Sequence, residues 1–447
     1  MPGLVGVIGE MSPGIRDKLL KDMIRAIRHE DWYQVHHYTD GGIGLGRVSL
    51  GILNPEPQPI WNEDRSLCIF MEGEVYDYEG ERRHLIERGH RFHVNNDPEY
   101  VLHLYEEYGE DFVLKLNGAF VAAIWDVRQR KLLVINDRLG LRPFYYTQHN
   151  GRLLFGAGAR AVVVDPSFDR RVNPVALVEF LSFQHLLGDN TLFQGVSLLP
   201  PASVMVYQEG QLSLHPYWEL RFPETYEYHD EEYYIERWIT LVQQAVARQM
   251  RGPEPLAVLL SGGVDSRNVL ALMDRERFPV LTFTFGQPDS DDVRLAREVA
   301  ATLGVKNRFF RLQPNYLLHL AEEGVRLTDG MKSCVHMHVL GPLREMADQA
   351  RVFYLGYLGG TIHGDSVSPD LLAPFEESVM IRLLFRKRNT LFQEKEHEQL
   401  FTDSFYQRVR GQAFDSFQAA LRRSHSTWAA DKNNYLEAQE VDRRFTT

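Results

Sequence analysis

Ser261-Gly262-Gly263-Val264-Asp265-Ser266 constrains the fold of this chain more than any other stretch. The apolar run before it, Leu256 to Leu260, reads as a buried strand, and Asn268 to Met273 after it reads as a helix. A strand that turns through glycines directly into a helix leaves backbone N–H groups pointing outward, which makes an anion-binding site. Gly262 and Gly263 let the backbone approach phosphates closely. Ser261 and Ser266 add hydroxyl donors. Asp265 is anionic and does not suit direct phosphate contact, so it is expected to hold a Mg²⁺ that bridges to phosphate oxygens. The loop has neither the G-x-x-x-x-G-K-[ST] pattern nor the dinucleotide pattern G-x-G-x-x-G. The plainer alternative is a tight turn in which Asp265 or Ser266 only caps the helix.

The flanking pattern supports a parallel sheet. Strand Leu256–Leu260, helix Asn268–Met273, strand Val280–Phe285, helix Asp292–Leu303 and strand Asn307–Leu312 alternate, as in an α/β doubly wound domain. A helix from about Asp230 to Met250 opens this domain, and the charged tail beyond Glu376 is assigned to it. The first two hundred residues read differently. Short apolar segments such as Leu4–Ile8, Ile43–Leu50, Leu67–Val75, Phe120–Trp125 and Leu132–Ile135 lie between turn residues. Helices at about Ile15–Ile27, Glu79–Arg88 and Pro98–Tyr108 interrupt them. That mixture predicts an α+β sandwich. The expected boundaries are 1–205, a proline-rich connection over 206–229, and 230–447.

The 447 residues are enough for two or three domains. A net charge of −12 argues against a general nucleic-acid binder, whose contacts must neutralise phosphates. Cys68 and Cys334 form no disulfide framework and no cysteine-based metal site. The N-terminus lacks a basic segment and a long apolar run, and no stretch approaches the ~20 apolar residues of a membrane span. A cytoplasmic protein with no membrane contact is the expectation. His336 and His338, at i and i+2, share no helix face and have no third ligand in evidence, so a zinc site there is not expected.

Taken together, the motifs resemble those of the asparagine synthetase family. Leu116-Asn117-Gly118-Ala119-Phe120 with Ile124-Trp125-Asp126 is similar to its L-x-G-x-F-x-x-x-I-W-D. Asn136-Asp137-Arg138-Leu139-Gly140-Leu141-Arg142-Pro143-Phe144-Tyr145-Tyr146 is similar to R-D-R-x-G-x-x-P-L-Y-Y. Leu199-Pro200-Pro201 and Tyr217-Trp218 resemble the end of that domain, and the serine–glycine loop matches the family's pyrophosphate loop S-G-G-x-D-S. The resemblance implies an N-terminal glutaminase-type (Ntn) sandwich of antiparallel sheets and a C-terminal ATP pyrophosphatase domain. It implies ATP and Mg²⁺ as cofactors, a small-molecule carboxylate and ammonia or an amine as partners, and leaves a homodimer open. It places Leu260, Ser261, Gly262, Gly263, Asp265, Ser266, Phe285 and Gly356 at the nucleotide, and Asp265 and Asp365 at the metal and in catalysis.

The chain departs from that family in named places. The glutaminase nucleophile is a cysteine directly after the initiator methionine, and here that position is Pro2, which offers no thiolate. The H-R-G-P-D segment corresponds to Arg28-His29-Glu30-Asp31, without its glycine–proline turn. The N-G-E-x-Y-N strand end reads Glu72-Gly73-Glu74-Val75-Tyr76-Asp77, with a carboxylate for an amide at Glu72. The s-D-t-E element survives as Asn96-Asp97-Pro98-Glu99. Cys68 is expected in the core. The acidic loop S-G-x-G-x-D-E finds its best counterpart in the stretch from Leu355 and Gly356 to Asp365. The family's C-terminal catalytic lysine has no counterpart beyond the poor substitutes Lys332 and Lys387. An AMP-forming amide ligase with an inactive glutaminase half is therefore the leading expectation. The alternatives are an intramolecular cyclase resembling β-lactam or lasso-peptide synthetases, and a nucleotide-binding pseudoenzyme.

Overall fold

The computed structural model describes residues 2–357, 371 and 375–442, and counts and absences below refer to these residues. The chain divides into two compact units. The first comprises Met1–Phe222, Leu327–Lys332 and Pro369–Thr447; the second comprises Pro223–Arg326 and Ser333–Ser368.

The first unit is built on β1 (Gly3–Gly9), β2 (Gln34–Thr39), β3 (Ile43–Ser49), β4 (Ile60–Trp61), β5 (Leu67–Val75) and β6 (Gly118–Asp126). It continues through β7 (Lys131–Asn136), β8 (Tyr145–His149), β9 (Arg152–Gly156), β10 (Ser197–Leu198), β11 (Ser203–Gln208) and β12 (Gln211–Pro216). Its helices include α1 (Pro13–Ile27), α2 (Glu79–Glu87), α3 (Asp97–Tyr108), α4 (Ala159–Val162) and α5 (Pro174–Phe183). The strands form two six-stranded antiparallel sheets, ordered β10-β8-β9-β1-β3-β2 and β12-β11-β7-β6-β5-β4.

The central strands β1, β5, β6 and β7 are buried on both faces, which is why they read as largely apolar runs rather than alternating ones. Leu4 and Ile8 of β1 meet Phe70, Val121 and Trp125 of the other sheet in the central layer. Val5 and Val7 point the opposite way, onto Leu20, Met23 and Ile24 of α1. The outer face of the second sheet, with Ile69, Met71, Ala122 and Ile124, packs on Tyr100, Val101 and Leu104 of α3. A fully buried aliphatic or aromatic side chain contributes about 1.5–3 kcal/mol relative to exposure. Cores of this size hold the sandwich together whether or not any catalytic group survives.

The boundary expected at 205 is corrected. Residues 203–216 form the hairpin β11–β12, with β11 pairing to β7 and Val204 and Val206 in the outer core. Its prolines lie at or beyond the hairpin's ends, so they do not break a ladder bond. The tail assigned to the second domain is also corrected. The helices Glu377–Arg388 and Gln412–Arg422 belong to the first unit. Phe385 and Phe417 pack on Phe183 of α5, with ring centroids 5.8 and 5.6 Å away. Glu440 accepts the Gly188 N–H at 2.7 Å. Charged composition in sequence concealed one apolar stripe per helix, whose partner is distant in the chain.

The second unit contains α6 (Glu231–Gln249), β13 (Leu256–Leu259), α7 (Val264–Leu272), β14 (Val280–Gly286), α8 (Asp291–Thr302), β15 (Lys306–Arg311) and β16 (Val352–Leu355). The four strands are parallel, in the order β15-β14-β13-β16. Leu256, Val258 and Leu260 face a cluster containing Val246 of α6, Leu270 of α7, and Ala296 and Ala300 of α8. Ala257 and Phe283 face Met346 and Ala350 on the other side. This is the doubly wound sheet expected from sequence. Its strand order reverses between β13 and β16, and ligand sites in such sheets lie beyond the strand ends at that reversal.

Candidate functional site

Helix α7 begins at Val264, four residues before the expected start, with Gly263 at its N-cap. Val264 to Arg267 show no apolar stripe; Val264 is 58% exposed, and the buried side chain in this turn is the polar Ser266. The free N–H groups of this first turn therefore belong to the loop, as an anion site requires.

The glycines are explained by crowding rather than by unusual backbone angles. A Cβ on Gly262 would lie 2.7 Å from the Cα of Asp292, at the start of α8, and 3.0 Å from its carboxylate Oδ1. A Cβ on Gly356 would lie 2.3 Å from the Ser266 backbone nitrogen and 2.6 Å from the Asp265 carbonyl carbon. Gly356 follows β16, so the strand on the far side of the reversal presses against the first turn of α7. Ser266 is buried, and its hydroxyl is used inside the loop. It accepts the Ser261 N–H at 3.1 Å and lies 3.0 Å from the Ser261 hydroxyl. It also donates toward the Ser261 carbonyl at 3.2 Å. Ser261 is exposed, while the Ser266 hydroxyl is engaged within the turn.

A cavity of about 380 Å³ adjoins the loop. It is lined by Leu259, Leu260 and Ser261, by Phe283, Thr284 and Phe285 of β14, and by Asp292, Leu312, Tyr316 and His338. Apolar walls with a few polar groups suit a flat heterocycle. Leu260 and Phe285, named from sequence, line it. Leu259, Phe283, Thr284, Asp292, Leu312, Tyr316 and His338 were not assigned to the site from sequence. Their only shared signal is a position toward or beyond the ends of neighbouring parallel strands. The Thr284 hydroxyl donates to the Leu260 carbonyl at 2.8 Å and ties β14 to the loop. The His338 ring lies 5.4 Å from that of Phe285. Asp265 is half-buried at the head of α7 and does not line this cavity. Asp365 lies outside the described residues, as does most of the stretch proposed for the acidic loop.

Sequence comparison places both halves. Residues 1–218 match the glutamine amidotransferase domain family, and residues 237–355 match the asparagine synthase family. The chain belongs to the asparagine synthetase family. Similar relatives include asparagine synthetase [glutamine-hydrolyzing] 1 of Bacillus subtilis (strain 168), 28% identical over 69% of this chain and 49% of the relative. Asparagine synthetase [glutamine-hydrolyzing] 3 of the same organism is 32% identical over 57% of this chain and 42% of the relative. Amidase chry2 of Gibberella zeae is 30% identical over 54% and 36%. The chain spans about half the length of the curated relatives it matches, or less.

In the first unit, Arg47, Glu72 and the loop before α3 form hydrogen-bonded networks. Arg47 of β3 is fully buried, and its Nε donates to Glu72 Oε2 at 2.8 Å. Its Nη1 donates to the Asn54 carbonyl at 3.0 Å. Glu72, expected from the resemblance to replace an amide, is the counter-ion of a buried guanidinium. Asp97, from the surviving acidic element, accepts the Val75 N–H at 3.1 Å and the Tyr78 hydroxyl at 2.9 Å. Glu99 accepts the N–H groups of His93 and Val94 at 2.6 and 2.9 Å, and Asn96 caps α3. This element now organises the loop before α3. Cys68 is buried in the central layer, and burial pushes its thiol up to about 12, so it stays protonated and unreactive.

The Asn136–Tyr146 segment is a scaffold. Asp137 accepts the Leu139, Leu141 and Phe120 N–H groups at 3.0 to 3.2 Å. Burial raises its carboxyl to about 6, against the pull of those N–H groups. The Tyr217 hydroxyl donates to the Asn136 carbonyl at 2.7 Å, which fastens the chain leaving the sandwich. Asp329 is ion-paired with Arg160 within the first unit. Burial lowers the Lys332 ammonium to about 7.

Among the described residues no helix is long and apolar enough to cross a membrane.

Proposed function

We propose that this chain is an AMP-forming amide ligase that activates a small-molecule carboxylate with Mg-ATP for attack by ammonia or an amine, and that its amidotransferase half hydrolyses no glutamine. The observation that carries the reading is the serine–glycine loop at the strand-order reversal, held between α8 and β16 by Gly262 and Gly356.

The residues present suit a nucleotide. The first turn of α7 offers N–H groups to phosphate, and Leu260 and Phe285 line a cavity of fitting size for a base. Asp265 stands at the head of α7 as the acid to hold Mg²⁺, and Asp292 brings a second carboxylate beside Gly262. Mg-ATP would supply the leaving group that an unreactive carboxylate lacks. The chain's own groups orient the phosphates, neutralise their charge and cover the base. Asp365 remains a proposed partner of Asp265 at the metal. The inactive amidotransferase half follows from Pro2, which has no thiol, and from Glu72, whose carboxylate is paired with Arg47 and offers no N–H donor to a developing oxyanion.

The test is ATP–pyrophosphate exchange over a panel of carboxylates, with Asp265→Ala as control. Carboxylate-dependent exchange that the variant loses is the expected result. Nucleotide binding without exchange for any carboxylate supports a pseudoenzyme instead. Exchange followed by closure of an amide within one substrate supports a cyclase. Glutamate release from glutamine by the pure protein would overturn the inactive half.

A further inference from the structure

Four side chains of the first unit converge in a way that neither half's chemistry uses. Glu63 comes from the β4–β5 hairpin, His90 from the loop after α2, and His103 and Glu106 from one face of α3, at i and i+3. The ligand atoms all lie within 4.8 Å of one another. His90 Nδ1 and His103 Nδ1 are 3.2 Å apart. Glu106 Oε2 lies 3.3 Å from the second and 3.4 Å from the first. Glu63 Oε2 lies 4.0 Å from His103 Nδ1.

These spacings have a specific meaning. Tetrahedral zinc with bonds of 2.0–2.2 Å places its nitrogen and oxygen ligands roughly 3.3–3.6 Å apart. Three of the spacings lie close to that edge, and Glu63 needs only a small inward shift. The outer contacts also prepare the ligands. His90 Nε2 faces Glu107 Oε2 at 3.2 Å; a proton held there leaves the Nδ1 lone pair aimed at the cluster. Glu106 Oε1 accepts from Asn62 at 3.0 Å, and Glu63 Oε1 accepts the Arg91 N–H at 2.8 Å. These bonds fix both carboxylates with their second oxygens turned inward. His103 is 1% exposed, and its Nε2 has no hydrogen-bond partner, so its polar chemistry is directed through Nδ1. Two imidazole lone pairs and two carboxylates facing one point repel unless a cation sits among them.

We infer that Glu63, His90, His103 and Glu106 form a structural Zn²⁺ site that pins α3 to the β4–β5 hairpin and to the loop after α2. Four protein ligands leave no open position for a substrate, so the ion is structural rather than catalytic. The sequence spacing hides the site, because the ligands are separated by 26, 12 and 2 residues and match no short motif.

The experiment uses the full chain, stripped with a chelator and dialysed into excess Mg²⁺ so that oxygen-rich sites are filled. Titration with Zn²⁺ should show one tight equivalent per chain and a higher melting temperature. Co²⁺ should give the strong visible bands of a four-coordinate ion. Glu106→Gln and Glu63→Gln, at partly exposed positions, should each weaken Zn²⁺ binding at least tenfold with unchanged circular dichroism. His90→Ala should abolish the Co²⁺ bands. No stoichiometric Zn²⁺ binding, or binding unchanged in these variants, would overturn the site and mean that protons alone hold the cluster.

Discussion

Replacing Glu72 by alanine removes the carboxylate that, among the described residues, is hydrogen-bonded to Arg47. The guanidinium does not give up its charge, and its side chain has 0% exposure against 14% for Glu72. After the substitution Arg47 keeps the carbonyls of Asn54 and Leu53, at 3.0 and 3.4 Å, but faces no opposite charge there. Leaving a buried charge unpaired costs about 3–5 kcal/mol. The two carbonyls and the partial exposure of Glu72 put the expected loss at about 3 kcal/mol, the low end of that range. For a unit of about 300 residues, with an unfolding entropy of about 2.1 cal/mol/K per residue, that is a fall of about 5 °C in melting temperature. Glu72→Gln keeps a neutral acceptor for Nε and should cost only about 1 kcal/mol. Replacing both members, as Arg47→Leu with Glu72→Leu, should cost less than the alanine variant alone. Chemical denaturation followed by tryptophan fluorescence, compared at low and high salt, reads all three. An alanine variant within about 0.5 kcal/mol of the parent would refute the reasoning, because that is the scale of an exposed pair.

Two further outcomes follow from particular contacts. Gly356→Ala places a Cβ 2.3 Å from the Ser266 nitrogen, a backbone atom that cannot turn away, so the loop must shift. A loss of about 1–3 kcal/mol in stability and weakened ATP binding are expected by calorimetry, and undiminished binding would show that β16 does not set the loop. The raised carboxyl of Asp137, about 6 against 3.8, contributes stability that is complete below pH 3.8 and lost as pH rises through about 6. The difference between the parent and Asp137→Asn should therefore change by up to about 3 kcal/mol across that window, with the parent losing ground as pH rises, and a flat difference would contradict it.

Legibility differed between the parts of the molecule for physical reasons. The doubly wound sheet was plain in sequence because its strands are short apolar runs spaced by helices, and the loop's six residues carry their chemistry locally. The sandwich was legible as apolar segments, since burial on both faces leaves nothing polar in β5 or β7 until the strand ends. Edge strands such as β2 and β12 escaped notice, because an exposed edge tolerates Gln34, His36 and His215. Within the site, sequence alone determined that Asp265 lies in a glycine turn between a strand and a helix and that Pro2 cannot be a nucleophile. Only the tertiary structure decided why Gly262 and Gly356 must lack side chains, and that Ser266 turns inward. It also decided that Glu72 neutralises Arg47, that the C-terminal helices complete the first unit, and that two histidines and two glutamates from three elements meet at one point. Each of these depends on atoms brought together from distant parts of the chain, and local pattern carries no record of such distances.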